Sequence, residues 1–165
     1  MAFIGIITNE KNILTMTKFL KNIFDMKDII FISNNNIEKF KTMKFETVVV
    51  DKEVKNINQL KSIISNSKYL ILNADIKIDS AILEDMNLMV ITYGFQNKAT
   101  FTVSSVSENN IIICLQRIMK TAQNGKYEPQ EIDIKIEQNL DIHAIICTNI
   151  LTMFYQKRNE LISKK

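Results

Sequence analysis

The chain has 165 residues, of which 46% are hydrophobic and 24% charged, a composition that suits one globular domain of typical size. Its formal net charge of +3 is spread along the sequence, which disfavours nucleic-acid binding, since nucleic-acid binders concentrate lysine and arginine on one face. No apolar run approaches the roughly 20 residues of a membrane span, and the N-terminus lacks the basic segment of a signal peptide. We therefore predict one cytoplasmic domain over residues 1–165 that binds neither membranes nor nucleic acid.

The first half of the sequence alternates short apolar strands with amphipathic helices. Strands are predicted at Phe3–Ile7, Ile29–Ile32, Phe45–Val50, Tyr69–Leu72 and Leu88–Tyr93. Helices are predicted over about 14 residues through Phe24, in a short stretch through Phe40, at Ile57–Ile64 and at Ile82–Met86. Strands separated by helices form right-handed βαβ crossovers and a parallel sheet, so residues 1–97 are predicted to be a parallel α/β core.

After Gly94 the apolar spacing changes from helical to alternating. Ala99–Val106, Ile111–Leu115 and Ile132–Ile136 predict antiparallel strands with one solvated face over residues 98–138, and Asn124-Gly125 predicts a turn. The region 139–165 is predicted to form one long C-terminal helix from about Asp141 to Ser163, with Asp141 or Asn139 as its N-cap.

The two cysteines, Cys114 and Cys147, lie in apolar runs with no further Cys or His at metal-ligand spacing. They are expected to be buried free thiols, which indicates a reducing compartment. With a single histidine in the chain, no Ser/His/Asp or Cys/His catalytic set is available, and no catalytic residue is predicted.

The first strand, loop and helix form the main candidate for an anion site. A strand that runs directly into a helix aims backbone N–H groups and the positive end of the helix dipole at an anion. A phosphate-binding loop also needs glycines where the backbone meets the phosphates, whereas this segment has none after Gly5 and carries the negative Glu10. By themselves these residues favour an ordinary strand-to-helix turn.

The same segment resembles the start of the central domain of Mur ligases and folylpolyglutamate synthetases, which has a Gly-Thr-Asn-Gly-Lys-Thr loop. Thr8-Asn9-Glu10-Lys11 is similar to the Thr-Asn-Gly-Lys part of that loop with its glycine replaced. The resemblance implies that Lys11 occupies the place of the phosphate-binding lysine. It also implies that the magnesium-binding hydroxyl is lost, unless Thr15 replaces it from the next turn. The candidate nucleotide-binding residues are therefore Thr8, Asn9, Lys11 and Thr15.

Two later segments extend the resemblance. Ile71–Asp75 is similar to the family's strand ending in Asn-Ala-Asp-Asp, and Val90–Phe95 is similar to its strand ending in Thr-Tyr-Gly before a small antiparallel sheet. Of the family's Gly-x-His-Asn motif, which precedes the last helix, only Asn139 remains. His143, inside the predicted helix, is expected to be a surface or core residue rather than a ligand.

Asp51 follows the third predicted strand, where the resemblance implies a carboxylate that helps hold magnesium. The carboxyl end of a parallel strand is a suitable position for that role. Polar residues also end many strands that bind nothing, so the sequence leaves both interpretations open. Asp51 is the single candidate metal ligand.

The resemblance covers most of this chain but only one of the family's three domains. Acyl-phosphate ligation depends on positioned Mg-ATP and on domain closure that excludes water. Our leading hypothesis is therefore a non-catalytic Mur-ligase-like binding or interaction module without a bound cofactor, linked to cell-wall or amide-ligase metabolism. Its expected partner is another protein or a second copy of the chain.

Two alternatives remain open. The chain could be a Mg-ATP-binding subunit that completes an ATP-dependent ligase with a partner chain, in which case binding depends on Lys11 and Asp51. It could instead be an unrelated flavodoxin-like small-molecule binder, with its ligand near Thr8, Ser33 and Asp51. The last alternative predicts that the antiparallel extension after Gly94 is absent.

Overall fold

The computed structural model describes residues 3–137 and 139–156, which form an eight-stranded sheet, a two-stranded hairpin and flanking helices. The strands of the first half are Ile4–Ile7 (β1), Ile29–Ile32 (β2), Thr47–Val50 (β3), Tyr69–Asn73 (β4) and Met89–Gly94 (β5). Those of the second half are Phe101–Val106 (β6), Asn110–Leu115 (β7), Met119–Lys120 (β8), Lys126–Tyr127 (β9) and Gln130–Lys135 (β10). The helices are Glu10–Leu20 (α1), Ile57–Ser65 (α2) and Ile142–Phe154 (α3).

The large sheet has the strand order β10-β7-β6-β5-β4-β3-β1-β2. All neighbours from β2 to β6 are parallel, whereas β6–β7 and β7–β10 are antiparallel. The predicted α/β fold, with a mostly parallel sheet, an antiparallel extension and a C-terminal helix, is confirmed. The antiparallel strands continue the main sheet, so one sheet crosses the predicted boundary between residues 97 and 98.

The strand order bears on the flavodoxin-like alternative. The first five strands lie in the order β2-β1-β3-β4-β5, which is the doubly wound order of flavodoxin-like folds. The extension after Gly94, which that alternative predicts to be absent, is nevertheless present. The first five strands thus have the flavodoxin-like order, but the prediction that the extension is absent is wrong.

The sheet is covered on both faces, as continuous apolar strands require. On one face α1 contributes Met16 and Leu20 to a core cluster shared with α3, and on the other α2 contributes Leu60 and Ile63 to a second cluster. Among the described residues, no helix is long and apolar enough to cross a bilayer. Cys147 is buried as expected, but Cys114 is only half-buried.

Several predicted helix limits are wrong. Helix α1 has 11 residues and ends at Leu20, because the Ile23 amide bonds to the Leu20 carbonyl in a tighter 3₁₀ turn. The predicted short helices are 3₁₀ turns at Ile37–Phe40 and Ser80–Leu83. The second begins early because the Asp79 carboxylate accepts a hydrogen bond from the Ala81 amide.

The C-terminal helix begins where its cap residue predicts. Asp141 is the N-cap of α3, and its Oδ1 accepts from the Ala144 amide at 3.0 Å. Helix α3 ends at Phe154, and Gln156 has a positive φ of 54°. The predicted continuation over 157–163 lies outside the described residues. The predicted turn at Asn124-Gly125 is confirmed, and it joins β8 to β9, two short strands that were not predicted.

Candidate functional site

The carboxyl ends of β1, β3, β4 and β5 meet around the side chain of Asp51. Thr8 follows β1, Asp51 follows β3, Asn73 ends β4 and Tyr93 lies near the end of β5. Parallel strands place their carboxyl ends at one edge of the sheet, which is the usual ligand-binding edge of α/β folds. The candidate residues Thr8, Asn9, Lys11 and Asp51 lie at or next to this edge, whereas Thr15 lies further along α1.

Asp51 is 0% exposed and is held by neutral donors. Its Oδ2 accepts from Thr8 Oγ1 at 2.8 Å and from Asn12 Nδ2 at 3.0 Å. Its Oδ1 accepts from the Tyr93 hydroxyl at 2.7 Å, and its backbone carbonyl accepts from Asn73 Nδ2 at 2.9 Å. Burying a carboxylate is costly unless hydrogen bonds replace those of water, and the side chains of Thr8, Asn12 and Tyr93 supply the replacement. The network therefore ties α1 and four strand ends together.

Tyr93 and the neighbouring Cys147 both remain protonated at neutral pH. Burial raises the pKa of Tyr93 well above its usual value of 10.0, and the nearby Cys147 and Asp51 raise it further. Burial likewise raises the pKa of the Cys147 thiol well above 9.0. The thiolate is the reactive form of cysteine, so Cys147 is an inert core residue.

The connection between β1 and α1 consists of only Thr8 and Asn9. The Thr8 hydroxyl donates to Asp51, and Asn9 Oδ1 caps α1 by accepting from a backbone amide of its first turn at 2.9 Å. Lys11 is exposed on that first turn, and Thr15 is half-buried one turn further along α1. The structure thus brings Thr8 and Asp51 into contact and places Asn9 and Lys11 nearby, with Thr15 further away. Nucleotide binding by these residues stays a prediction.

A cleft of about 190 Å³ lies between the carboxyl ends of β1, β2 and β3. Strand order reverses between β1 and β3, which is where doubly wound sheets bind their ligands. The cleft is smaller than the roughly 300–1,000 Å³ of most small-molecule sites. Its lining includes the carboxylates of Glu10 and Glu53 and one cation, Lys52, whose ammonium already bonds to Asp141 at 3.0 Å. The small volume and the two acidic residues therefore disfavour a nucleoside triphosphate in this cleft.

A second polar cluster joins the two later segments of the resemblance. Asp75 Oδ2 accepts from His143 Nε2 at 2.7 Å and from the Phe95 amide at 2.8 Å. Gly94 has φ +139°, and a Cβ built there would lie 2.4 Å from Asp75 Oδ2, so the position requires glycine. The Asp75–His143 pair has no signature in the sequence, because the residues are 68 positions apart and neither belongs to a recognisable pair motif.

Asp141 connects the N-terminus of α3 to the end of β3. Its partial burial would raise the pKa of its carboxyl group, but the Ala144 amide and Lys52 act more strongly together and hold the pKa below 3.8. The negative charge at the N-terminus also interacts favourably with the helix dipole. This contact orients α3 and, with it, His143.

Metal binding at Asp51 stays a prediction with a physical obstacle. A metal at either carboxylate oxygen would have to displace hydrogen bonds from Thr8, Asn12 or Tyr93. In the part of the chain that the structure describes, no group of three or more His, Cys, Asp or Glu residues could hold a metal ion. A magnesium ion at Asp51 would therefore depend on water and substrate oxygens for most of its ligands.

In comparisons with known proteins, no family model and no curated protein sequence matches this chain. The resemblance to the Mur-ligase central domain accordingly rests on the motifs alone.

Proposed function

We propose that this chain is a non-catalytic binding or interaction module, similar in its motifs to the Mur-ligase central domain but without a working phosphate loop. The observation that carries the proposal is the connection of two residues between β1 and α1. A phosphate-binding loop wraps its backbone around the phosphate oxygens, and two residues are too few for that.

The chemistry of the connection supports the same proposal. Phosphoryl transfer depends on positioning and on positive groups that stabilise the phosphate oxygens. Here the hydroxyl of Thr8 donates to Asp51, and Glu10 places a negative charge at the start of α1. Lys11 alone does not replace the missing glycine backbone and the magnesium-binding hydroxyl.

Asp51 has a structural role in this proposal. Its carboxylate accepts hydrogen bonds from α1 and from the ends of β1 and β5, so it holds the carboxyl edge of the sheet in one arrangement. A rigid edge of this kind can present a binding surface without performing chemistry. We propose a protein partner or a second copy of the chain as its target, and the motifs suggest cell-wall or amide-ligase metabolism. The free cysteines suit the reducing cytoplasm.

ATP hydrolysis and Mg-ATP binding test the proposal directly. We expect no ATP turnover by the purified chain and no rise in its melting midpoint with Mg-ATP. Bound ligand at about 100 times its dissociation constant would add about 2.7 kcal/mol of stability, which raises the midpoint of a domain of this size by several degrees.

The matched variants are Lys11→Ala and Lys44→Ala. Lys44 is exposed and precedes β3, so it lies near the amino ends of the strands, opposite to Lys11. Turnover that Lys11→Ala abolishes and Lys44→Ala preserves would overturn the proposal. A midpoint shift without turnover, again dependent on Lys11, would favour the alternative of a Mg-ATP-binding subunit that needs a partner chain.

The strand order and the cleft between β1 and β3 favour one second candidate, a flavodoxin-like small-molecule binder. Its ligand would contact Thr8 and Ser33 and would be smaller than a nucleotide. Screening small metabolites by thermal shift, with Ser33→Ala as the variant, separates this candidate from the first.

A further inference from the structure

Among the described residues, the first half of β5 has no strand partner on one side. Its residues from Met89 onward pair with β4, but β6 joins β5 only at Tyr93 and Gly94. The Met89 amide bonds to the Lys68 carbonyl on the β4 side. Backbone groups alternate in direction along a strand, so the N–H and C=O of Val90 point to the open side. The side chain of Val90 is also 37% exposed.

A groove runs along this open edge. It consists of two adjoining clefts of about 410 and 380 Å³, which share Met89, Ile118 and Lys120 in their linings. We call it the β5 groove. Ile118 is 53% exposed there, so the groove offers apolar surface to a ligand. Each cleft lies within the roughly 300–1,000 Å³ typical of binding pockets.

The β5 groove is positively charged. Its linings contain Arg117, Lys120 and Lys126 and no aspartate or glutamate. Lys126 is paired with Glu128 at 3.0 Å, whereas Lys120 forms no salt bridge within residues 3–137 and 139–156. A ligand with negative charge is therefore the electrostatic complement of the groove.

We propose that the β5 groove binds an extended acidic segment of a partner protein, which lies beside Val90 as a short added strand. This inference rests on the proposed function as an interaction module and names its binding surface. The Val90 backbone supplies main-chain hydrogen bonds, which are the basis of recognition by strand addition. Alternate side chains of a strand are roughly 7 Å apart, so two of them can enter the two adjoining clefts.

The apolar lining favours a peptide over a nucleic acid. Proteins that bind single-stranded nucleic acid stack the bases on aromatic side chains. The β5 groove has one aromatic residue, Tyr69, and its exposed apolar surface comes from the aliphatic side chains of Val90 and Ile118.

Fluorescence anisotropy with the full chain tests the proposal. The probe is a short labelled peptide in which glutamate alternates with leucine, and its lysine–leucine counterpart is the reversed-charge control. We expect the acidic peptide to bind and the lysine–leucine peptide not to bind. The affinity for the acidic peptide should fall as the salt concentration rises. Lys120→Glu should weaken binding about tenfold or more, and Ile118→Ser several-fold. Lys135→Glu, the same charge change on the exposed face of β10, should leave binding unchanged.

Three results would overturn the proposal. The first is the lack of Lys120-dependent binding at low salt, either because the acidic peptide does not bind or because the wild type and Lys120→Glu bind it equally. The second is tighter binding of a single-stranded oligonucleotide than of the peptide. The third is a dimeric wild type that Lys120→Glu makes monomeric, because a second copy would then occupy the groove. The ATP assay tests the β1–α1 connection, whereas the peptide assay tests the β5 groove. A failure of the proposed function is therefore distinguishable from a failure of this inference.

Discussion

Replacing Tyr93 with phenylalanine should destabilise the protein strongly, although the change removes only one oxygen atom. The Tyr93 hydroxyl donates to Asp51 Oδ1 at 2.7 Å, and it is the donor that the structure shows for that oxygen. Tyr93 and Asp51 are both 0% exposed, so water cannot replace the lost donor without a rearrangement of the core. Tyr93→Phe therefore tests whether the buried carboxylate depends on its donors.

The expected magnitude follows from the type of bond. A hydrogen bond to a charged group contributes about 1.5–3 kcal/mol, and a buried acceptor that loses its donor retains its full desolvation penalty. We expect Tyr93→Phe to lower the free energy of unfolding by about 2–3 kcal/mol. For a domain of this size that corresponds to a fall of about 4–12 °C in the melting midpoint.

Urea unfolding followed by far-ultraviolet circular dichroism measures the effect, since the chain contains no tryptophan to serve as a fluorescent probe. The matched control is Tyr127→Phe, at a half-buried tyrosine in β9. A double-mutant cycle with Thr8→Val then measures how far the donors of Asp51 act together. If Tyr93→Phe costs no more than Tyr127→Phe, the Asp51 network does not stabilise the fold and our reasoning is refuted.

Two further predictions concern the same edge of the sheet. Gly94→Ala should lower the free energy of unfolding by about 1–3 kcal/mol or more, because alanine is strained at φ +139° and its Cβ would displace Asp75. Thermal unfolding measures this change, and an unchanged melting midpoint would contradict the prediction. Asp141→Ala should lower the free energy of unfolding by about 1 kcal/mol through loss of the helix cap, whereas Asp141→Asn keeps the cap and loses the negative charge that interacts with Lys52 and with the helix dipole. Since the pKa of Asp141 is lowered in the folded state, its contribution is present above pH 3.8 and is lost as pH falls through the folded pKa. Urea midpoints of wild type and Asp141→Asn should therefore converge below about pH 4, and a constant difference would refute the assignment.

The fold was largely predictable because its signals are local. Continuous apolar runs such as Ile4–Ile7 indicate strands buried on both faces, and the alternation in Gln130–Lys135 indicates a strand with one solvated face. The cap at Asp141 and the turn at Asn124-Gly125 were also predictable, since each depends on a few neighbouring residues. The length of α1 was not, because the apolar spacing continues through Ile23 although the backbone tightens after Leu20.

The candidate site was only partly predictable. Thr8 and Asp51 were selected from the resemblance to the Mur-ligase motifs and from their positions after parallel strands, and the structure joins them by a hydrogen bond of 2.8 Å. Nothing in the sequence indicated that the hydroxyl of Tyr93 and the amide of Asn12 also point at Asp51, since each also fits an ordinary position in its own element.

Apolar spacing and crossover length are encoded within each segment, so the sequence was sufficient to indicate the eight strands of the large sheet and the parallel arrangement of the first five. The three-dimensional fold was needed to show which strands are neighbours, how β6 leaves half of β5 open and which polar groups satisfy the buried Asp51. A buried strand has the same apolar pattern beside any neighbour, and a hydrogen bond between residues 42 positions apart exists only once the chain has brought them together.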